Sequence, residues 1–206
     1  GSYSSSSSSA TPPSGSEYKY GQVLELLHGE CDGRSITVDS GTYQLENVST
    51  YQSYLSTSDA GYTGWVKAEG SEINYKPPYG TSEVIYEFNL FVTNKDDNGL
   101  VSFSYSLWMN DGANDVKIGK STYHGHLTHC ERRVNLKCKI TIGDIDDYPN
   151  SKISSWDSLK TLKIKMIPDE PLRIHGMENS TDGPYSSNSE MQTDMFHRPE
   201  IKITAI

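Results

Sequence analysis

The alternation of apolar and polar positions is strongest between Val84 and Met109. In VIYEFNLFVT, Val84, Tyr86, Phe88, Leu90 and Val92 fall at every second position, with Glu87, Asn89 and Thr93 between them. Ile85 and Phe91 share the polar residues' side. In LVSFSYSLWM, Val101, Phe103, Tyr105, Leu107 and Met109 alternate with Ser102, Ser104 and Ser106. A period of two sends neighbouring side chains to opposite faces of a pleated strand. The polar run between the arms ends in Asn98-Gly99, a hairpin signal. The two arms are therefore expected to pair with each other as one long antiparallel hairpin. Phe88, Leu90, Phe103 and Tyr105 are expected in the core. The serine face is expected to meet solvent or a partner subunit.

Shorter patterns of the same kind fill the rest of the chain. Gln22–His28, Trp65–Glu69, Ile73–Tyr75, Val116–Ile118, Tyr123–Leu127, Val134–Ile142 and Leu159–Ile167 read as strands. Ile36–Val38 and Tyr43–Leu45 flank Asp39-Ser40-Gly41 as a small hairpin. Ile201, Ile203 and Ala205 alternate with Lys202 and Thr204 as a last strand. Asn110-Asp111-Gly112 is a turn, and Pro77-Pro78 breaks the chain. Almost no stretch carries helical spacing. Many short strands with regular turn signals predict an all-β fold, an antiparallel β-sandwich or jelly roll with long loops and little helix. Residues 1–17 hold six consecutive serines and Pro12-Pro13, and read as a flexible hinge. Residues 18–175 are the expected β domain. Residues 176–206 read as an irregular polar segment ending in the last strand.

Composition then narrows the function. A net charge of −9 argues against nucleic acid or an anionic membrane as partner. No apolar run is long enough for a membrane-spanning helix. Gly1-Ser2 reads as a cloning scar, so the lack of a signal peptide carries no weight. Three cysteines, Cys31, Cys130 and Cys138, do not make a disulfide framework. Cys138 shares a strand face with Val134, Leu136, Ile140 and Ile142 and reads as a buried thiol, with a bridge from Cys31 to Cys130 or Cys138 left open.

No pattern assembles an active site. G-x-S-x-G, H-E-x-x-H and P-loop signatures are absent. Glu83 and Glu87 read as sharing a strand but not a face, which disqualifies them as a carboxylate pair. His124 and His126 would share a strand face and are the weak metal candidates; His129 and Cys130 fall out of register with them. Asn94 to Gly99 opens like a calcium loop, but the twelfth position is Tyr105 rather than Glu. Asp144, Asp146 and Asp147 read as a solubilising turn. Asn47-Val48-Ser49 and Asn179-Ser180-Thr181 are glycan acceptor tripeptides. No cofactor is expected, and the chain is not expected to be an enzyme. Tyr51, Tyr54, Tyr62, Trp65, Tyr75 and Tyr79, set among small polar residues, form the expected binding surface, because aromatic faces beside short polar groups suit both sugar rings and protein epitopes.

A Ser/Pro hinge at Ser4–Gly15 followed by an acidic, Tyr-rich, strand-built body from Tyr18 to Ile167 resembles the projecting domains of non-enveloped virus capsid proteins. These include the readthrough projections of luteovirus-like plant viruses and the spikes of astrovirus-like capsids. The stretch from Trp156-Asp157 to Asp169-Glu170 is similar to the readthrough type. The resemblance implies a domain on the virion surface that attaches to a host receptor, protein or glycan, and forms a dimer or trimer. Ser/Pro linkers also join the domains of secreted fungal proteins. A secreted carbohydrate-binding module or lectin is the alternative, and a polysaccharide-acting enzyme a third.

Overall fold

The computed structural model describes residues 21–54, 64–94, 100–110, 112, 114–128, 132–143, 145–169, 172–176 and 196–206. The strands are β1 (Glu25–Glu30), β2 (Ser35–Val38), β3 (Gly41–Gln44), β4 (Gln52–Tyr54), β5 (Val66–Lys67), β6 (Ile73–Tyr75), β7 (Glu83–Asn94), β8 (Leu100–Asn110), β9 (Asp115–Thr128), β10 (Arg132–Ile142), β11 (Lys152–Ile153), β12 (Lys160–Pro168), β13 (Leu172–Ile174) and β14 (Glu200–Ala205). Among the described residues the one helical element is a 3-10 turn at Tyr148–Asn150. The fold is the β-sandwich expected from the alternation. A seven-stranded sheet runs β1-β14-β7-β10-β11, with β13 beside β7 and β4 beside β13. A five-stranded sheet runs β5-β12-β8-β9, with β6 also on β12. All pairs are antiparallel except β10 with β11. The β2–β3 hairpin stands apart.

The strongest alternation yields the right strands and the wrong partners. β7 and β8 share no ladder; β7 is central to the seven-stranded sheet and β8 to the five-stranded one. β7 pairs with β10, setting Phe88 opposite Leu136. β8 pairs with β9, setting Met109 opposite Val116. The unit is therefore one long ribbon, β7–β8 against β9–β10, folded across its middle so that its halves lie in different sheets. Alternation fixes which face of a strand is apolar but not which strand it pairs with. Crossing from one sheet to the other sets the apolar faces of β7 and β8 on opposing sides of the core, where each covers the other. The tight turn of this ribbon joins β8 to β9. There Asn110 Oδ1 accepts from the Gly112 amide at 2.7 Å, and Gly112 has φ 104°, a conformation in which a Cβ is strained.

The core contains the residues that the period of two selects. Tyr86, Phe88, Phe103, Leu107, Leu136, Ile140, Leu162 and Ile164 are fully enclosed, each of the larger apolar chains contributing about 2–3 kcal/mol on burial. β14 lies between β1 and β7. Ile201, Ile203 and Ala205 are buried there, and the Ile206 carbonyl accepts from the amides of Ser82 and Glu83 at 2.6 and 3.0 Å.

β9 merges the two strands read at Val116–Ile118 and Tyr123–Leu127. Between Ile118 and Thr122 it takes four steps while β8 takes two, from Leu107 to Tyr105. The excess is a bulge at Gly119, whose φ is 75°. A Cβ there would meet Ser151 Oγ at 2.4 Å, so the bulge fits against the residue that closes the 3-10 turn.

Candidate functional site

The outer face of the five-stranded sheet carries a group of aromatic and cationic side chains. Trp108 continues the row Ser102, Ser104, Ser106 on β8. In register it lies between Lys117 of β9 and Lys163 of β12. Trp65 comes just before β5, whose Val66 pairs with Met166 of β12. This brings the two indoles to 6.1 Å, tilted by 58°. Lys165 Nζ lies 4.2 Å from the Trp108 ring centre and Lys117 Nζ 5.7 Å from that of Trp65. Both contacts are cation–π in geometry.

Asp115 anchors the cations. Its Oδ2 lies 2.8 Å from Lys165 Nζ and 2.9 Å from Lys163 Nζ, and its Oδ1 accepts from Asn110 Nδ2 at 3.0 Å. The Lys165 hydrogen bond, helped by Lys163 and Asn110, holds the Asp115 carboxyl well below the usual range despite partial burial. Lys165 is thereby fixed across the row of serines, since it stands opposite Ser106 while its ammonium reaches Trp108, two residues on.

This arrangement overturns the expected exposure of the serine face. Ser102 and Ser106 are buried, at 3% and 1% exposure, and only Ser104 is half-exposed. Small side chains leave room for the long ones laid over them. The cost is visible: Ser106 Oγ and the Trp108 indole N–H are buried without a hydrogen-bond partner among the described residues. An unsatisfied buried polar group costs about 1–3 kcal/mol.

No protein-family model matches the chain, and no curated protein matches it. Among solved structures, the chain is similar to one described as the structure of infectious bursal disease virus Gx strain. The identity is 10% and the TM-score 0.32, over 84% of this chain. The chain spans 42% of the length of that one. This is a weak likeness to a viral protein structure and no basis for a function.

The expected aromatic surface is only partly assembled. Trp65 belongs to the face just described. Tyr51 is half-buried, with the Arg173 guanidinium 4.7 Å from its ring centre. Tyr79 is 84% exposed, but it precedes β7, whereas Tyr51 adjoins β4 near the far end of that strand. About 30 Å of extended chain separates those ends. Tyr75 is not available to a partner. It is fully buried, its hydroxyl donates to Glu25 Oε1 at 2.8 Å, and its ring packs against Tyr43 and Trp156. The small residues around it in sequence left no sign of this, because its cover comes from remote strands. Tyr62 and the Tyr54 side chain lie outside the described residues. Sequence reasoning missed Trp108 as a site residue. Its signal was present: it is the one large aromatic in an otherwise serine-built face.

His124 stacks on Phe103 at 5.1 Å. Between His124 and Leu127, β9 takes three steps against two on β8, from Phe103 to Val101. The His126 side chain lies outside the described residues. Among the described residues no group of three His, Cys, Asp or Glu is placed to hold a metal. Glu83 and Glu87, four residues apart on β7, do share a face, as a period of two requires, so the opposite expectation was wrong. Each is paired with a lysine, Glu83 with Lys139 at 2.5 Å and Glu87 with Lys202 at 2.8 Å. Asp146 accepts from the Ser154 amide and Asp147 from Asn150, so both brace the turn. Residues 95–99, Asp144, His129 and Cys130 lie outside the described residues. Cys31 and Cys138 are free; burial pushes both thiols up to about 12. Cys31 Sγ contacts the Gly70 carbonyl oxygen at 3.1 Å as a hydrogen bond.

Proposed function

We propose that this chain is a non-enzymatic attachment domain that binds a host receptor through the Trp65–Trp108 face. In this reading it projects from the surface of a non-enveloped virus particle and works as a dimer or trimer. The observation that carries the binding role is the indole pair flanked by Lys117 and Lys165. Two tilted rings with cations beside them offer apolar area and charge-assisted donors together, a combination suited to sugar rings and to protein epitopes. The two orphaned polar atoms beneath the face add to the argument, since departures from stability rules concentrate at functional sites. The serine- and proline-rich sequence of residues 1–17 supports the tethered, projecting placement.

The same indole pair also favours a second reading, a secreted carbohydrate-binding module. Solution mass by light scattering separates the two, a symmetric oligomer favouring the projecting domain and a monomer the module. The binding role is tested on an array of neutral and acidic glycans and on immobilised cell-surface proteins. Trp65→Ala and Trp108→Ala should each weaken the strongest interaction at least tenfold while the fold persists by circular dichroism. Unchanged binding in both variants would refute the role of this face.

A further inference from the structure

The opposite side of the sandwich holds a second site of a different kind. Strands β1, β14 and β7 align Glu30, Glu200 and Asn89 side by side on the outer face of the seven-stranded sheet. Asn135 of β10 extends the row and donates to Asn89 Oδ1 at 2.6 Å. One pleat further along, Phe91 stands opposite Arg133. The segment entering β14 lies over this end, with His197 stacked on Phe91 at 4.3 Å. A cleft of about 240 Å³ opens here, with Arg133 and Arg198 among its walls.

Its charges are sorted rather than mutually cancelled. Neither Arg133 nor Arg198 has a carboxylate within ion-pairing distance among the described residues, which stands out in a chain of net charge −9. Arg198 donates from Nε to the Val48 carbonyl at 3.3 Å and passes over Phe196, leaving its terminal nitrogens uncommitted among the described residues. The two glutamates are engaged elsewhere: Glu30 lies 3.6 Å from Arg34 and Glu200 3.6 Å from His28. His197 lines the cleft, and its Nε2 is buried without a hydrogen-bond partner among the described residues. The cleft thus holds free cationic donors and, beside them, carboxylate and amide acceptors.

We infer that this cleft binds one monocarboxylate sugar residue, of the uronic or sialic type. Its carboxylate meets the Arg133 and Arg198 guanidiniums, which hold a planar anion by paired N–H donors. Its ring hydroxyls donate to Glu30, Glu200 and Asn89. The volume lies below the usual range for drug-sized ligands, about 300–1,000 Å³, and fits a single such residue. A sulfated polyanion is disfavoured because Glu30 and Glu200 repel further negative charge. An acidic peptide side chain would satisfy the arginines and leave the acceptors unused. The inference rests on the attachment reading only for the source of the sugar; the binding itself belongs to the cleft.

The test is titration of the full chain with methyl glucuronide and with methyl N-acetylneuraminate glycoside carrying a free carboxylate, followed by NMR of the amides and imidazoles. Methyl glucoside serves as the neutral control, and heparin oligosaccharide and a short polyglutamate peptide as competitors. An acidic sugar should shift His197 and its neighbours, and Arg133→Gln should weaken it at least about tenfold, the weight of a charge-assisted pair. Arg133 is exposed, so this variant should keep the fold; Arg198→Gln is the second variant, accepted if its melting temperature is retained. Equal binding of methyl glucoside, stronger binding of heparin or polyglutamate, or no shift with either acidic sugar would each overturn the inference. None of those results would touch the Trp65–Trp108 test, which reads the other face.

Discussion

Acid should weaken this fold through one histidine, before its carboxylates titrate. His175 is fully buried and holds φ 69°, a left-handed conformation that favours glycine. Its amide donates to the Phe91 carbonyl at 2.9 Å, and its carbonyl accepts from the His197 amide at 2.7 Å. It therefore fastens the segment that roofs the cleft onto β7. Its Nε2 lies 2.8 Å from the Glu69 carbonyl oxygen, so the neutral ring donates there. Burial pushes its pKa down to about 4, against the opposing pull of the Glu69 carbonyl and the Glu46 charge. Between pH 6.5 and 4 the unfolded chain binds a proton that the folded chain refuses, so stability falls as pH falls. Linkage gives a loss of about 2 kcal/mol by pH 5 and about 3 kcal/mol by pH 4. Asp115 and Glu87, held low by lysines, lose their contributions only as pH falls through and below the ordinary carboxylate range. The window from pH 6.5 to 5 therefore separates His175 from those carboxylates, and the His175→Gln variant separates it from the other histidines. Urea unfolding at half-unit pH steps should show the slope in the native chain and lose it in His175→Gln, whatever that variant's stability at pH 7. A slope that survives His175→Gln would refute the reasoning.

Two further outcomes follow from burial. Phe103→Asp places a carboxylate in the sealed core and should cost more than about 4 kcal/mol; Ser104→Asp, at the half-exposed position of the same strand, should change stability by less than about 1 kcal/mol. Denaturant melts decide both, and a folded Phe103→Asp chain would show the register to be wrong. With Cys130 changed to serine, buried Cys31 should resist a thiol reagent at pH 8 until the chain is unfolded and partly buried Cys138 should react only slowly, because desolvation holds both thiols near 12 and the thiolate is the reactive form; prompt labelling of Cys31 in the folded chain would contradict its burial.

The elements were legible in the sequence; their partners were not. Most strands follow from local alternation, and Ile201, Ile203 and Ala205 disclosed the last one; β4, β11 and β13, each two or three residues long, are too short to show a period. Pairing is decided by which apolar faces cover one another across the core. That choice joins residues far apart in sequence, as with Phe88 opposite Ile201. The polar run after Asn94 looked like a hairpin turn because turn chemistry is alike whether a chain reverses within one sheet or crosses to another. Tyr75 failed as a surface residue for a related reason. Its acceptor is Glu25, fifty residues earlier, and the same carboxylate also takes the Ser40 hydroxyl at 2.7 Å. A buried carboxylate on a short strand leaves no trace in composition.

Both candidate sites arise from one kind of departure that a strand pattern can show. On β7 the outward positions run Ile85, Glu87, Asn89, Phe91, Thr93, and on β8 they run Ser102, Ser104, Ser106, Trp108. In each series a large aromatic stands where solvent-facing polarity is the rule. An aromatic placed there draws cover over itself: His197 stacks on Phe91, and Trp65 and Lys165 close on Trp108. The cover is partial because it comes from short segments rather than from a whole sheet. Phe91 is buried under that cover while Trp108 stays half-buried, and each aromatic is edged by the charged groups of neighbouring strands, Arg133 and Glu200 on one side of the sandwich and Lys117 and Asp115 on the other. The folded ribbon puts these two faces on opposite sides of a single core. Substitutions at Trp108 and at Arg133 should therefore act additively on any partner that needs both, since no shared side chain connects them.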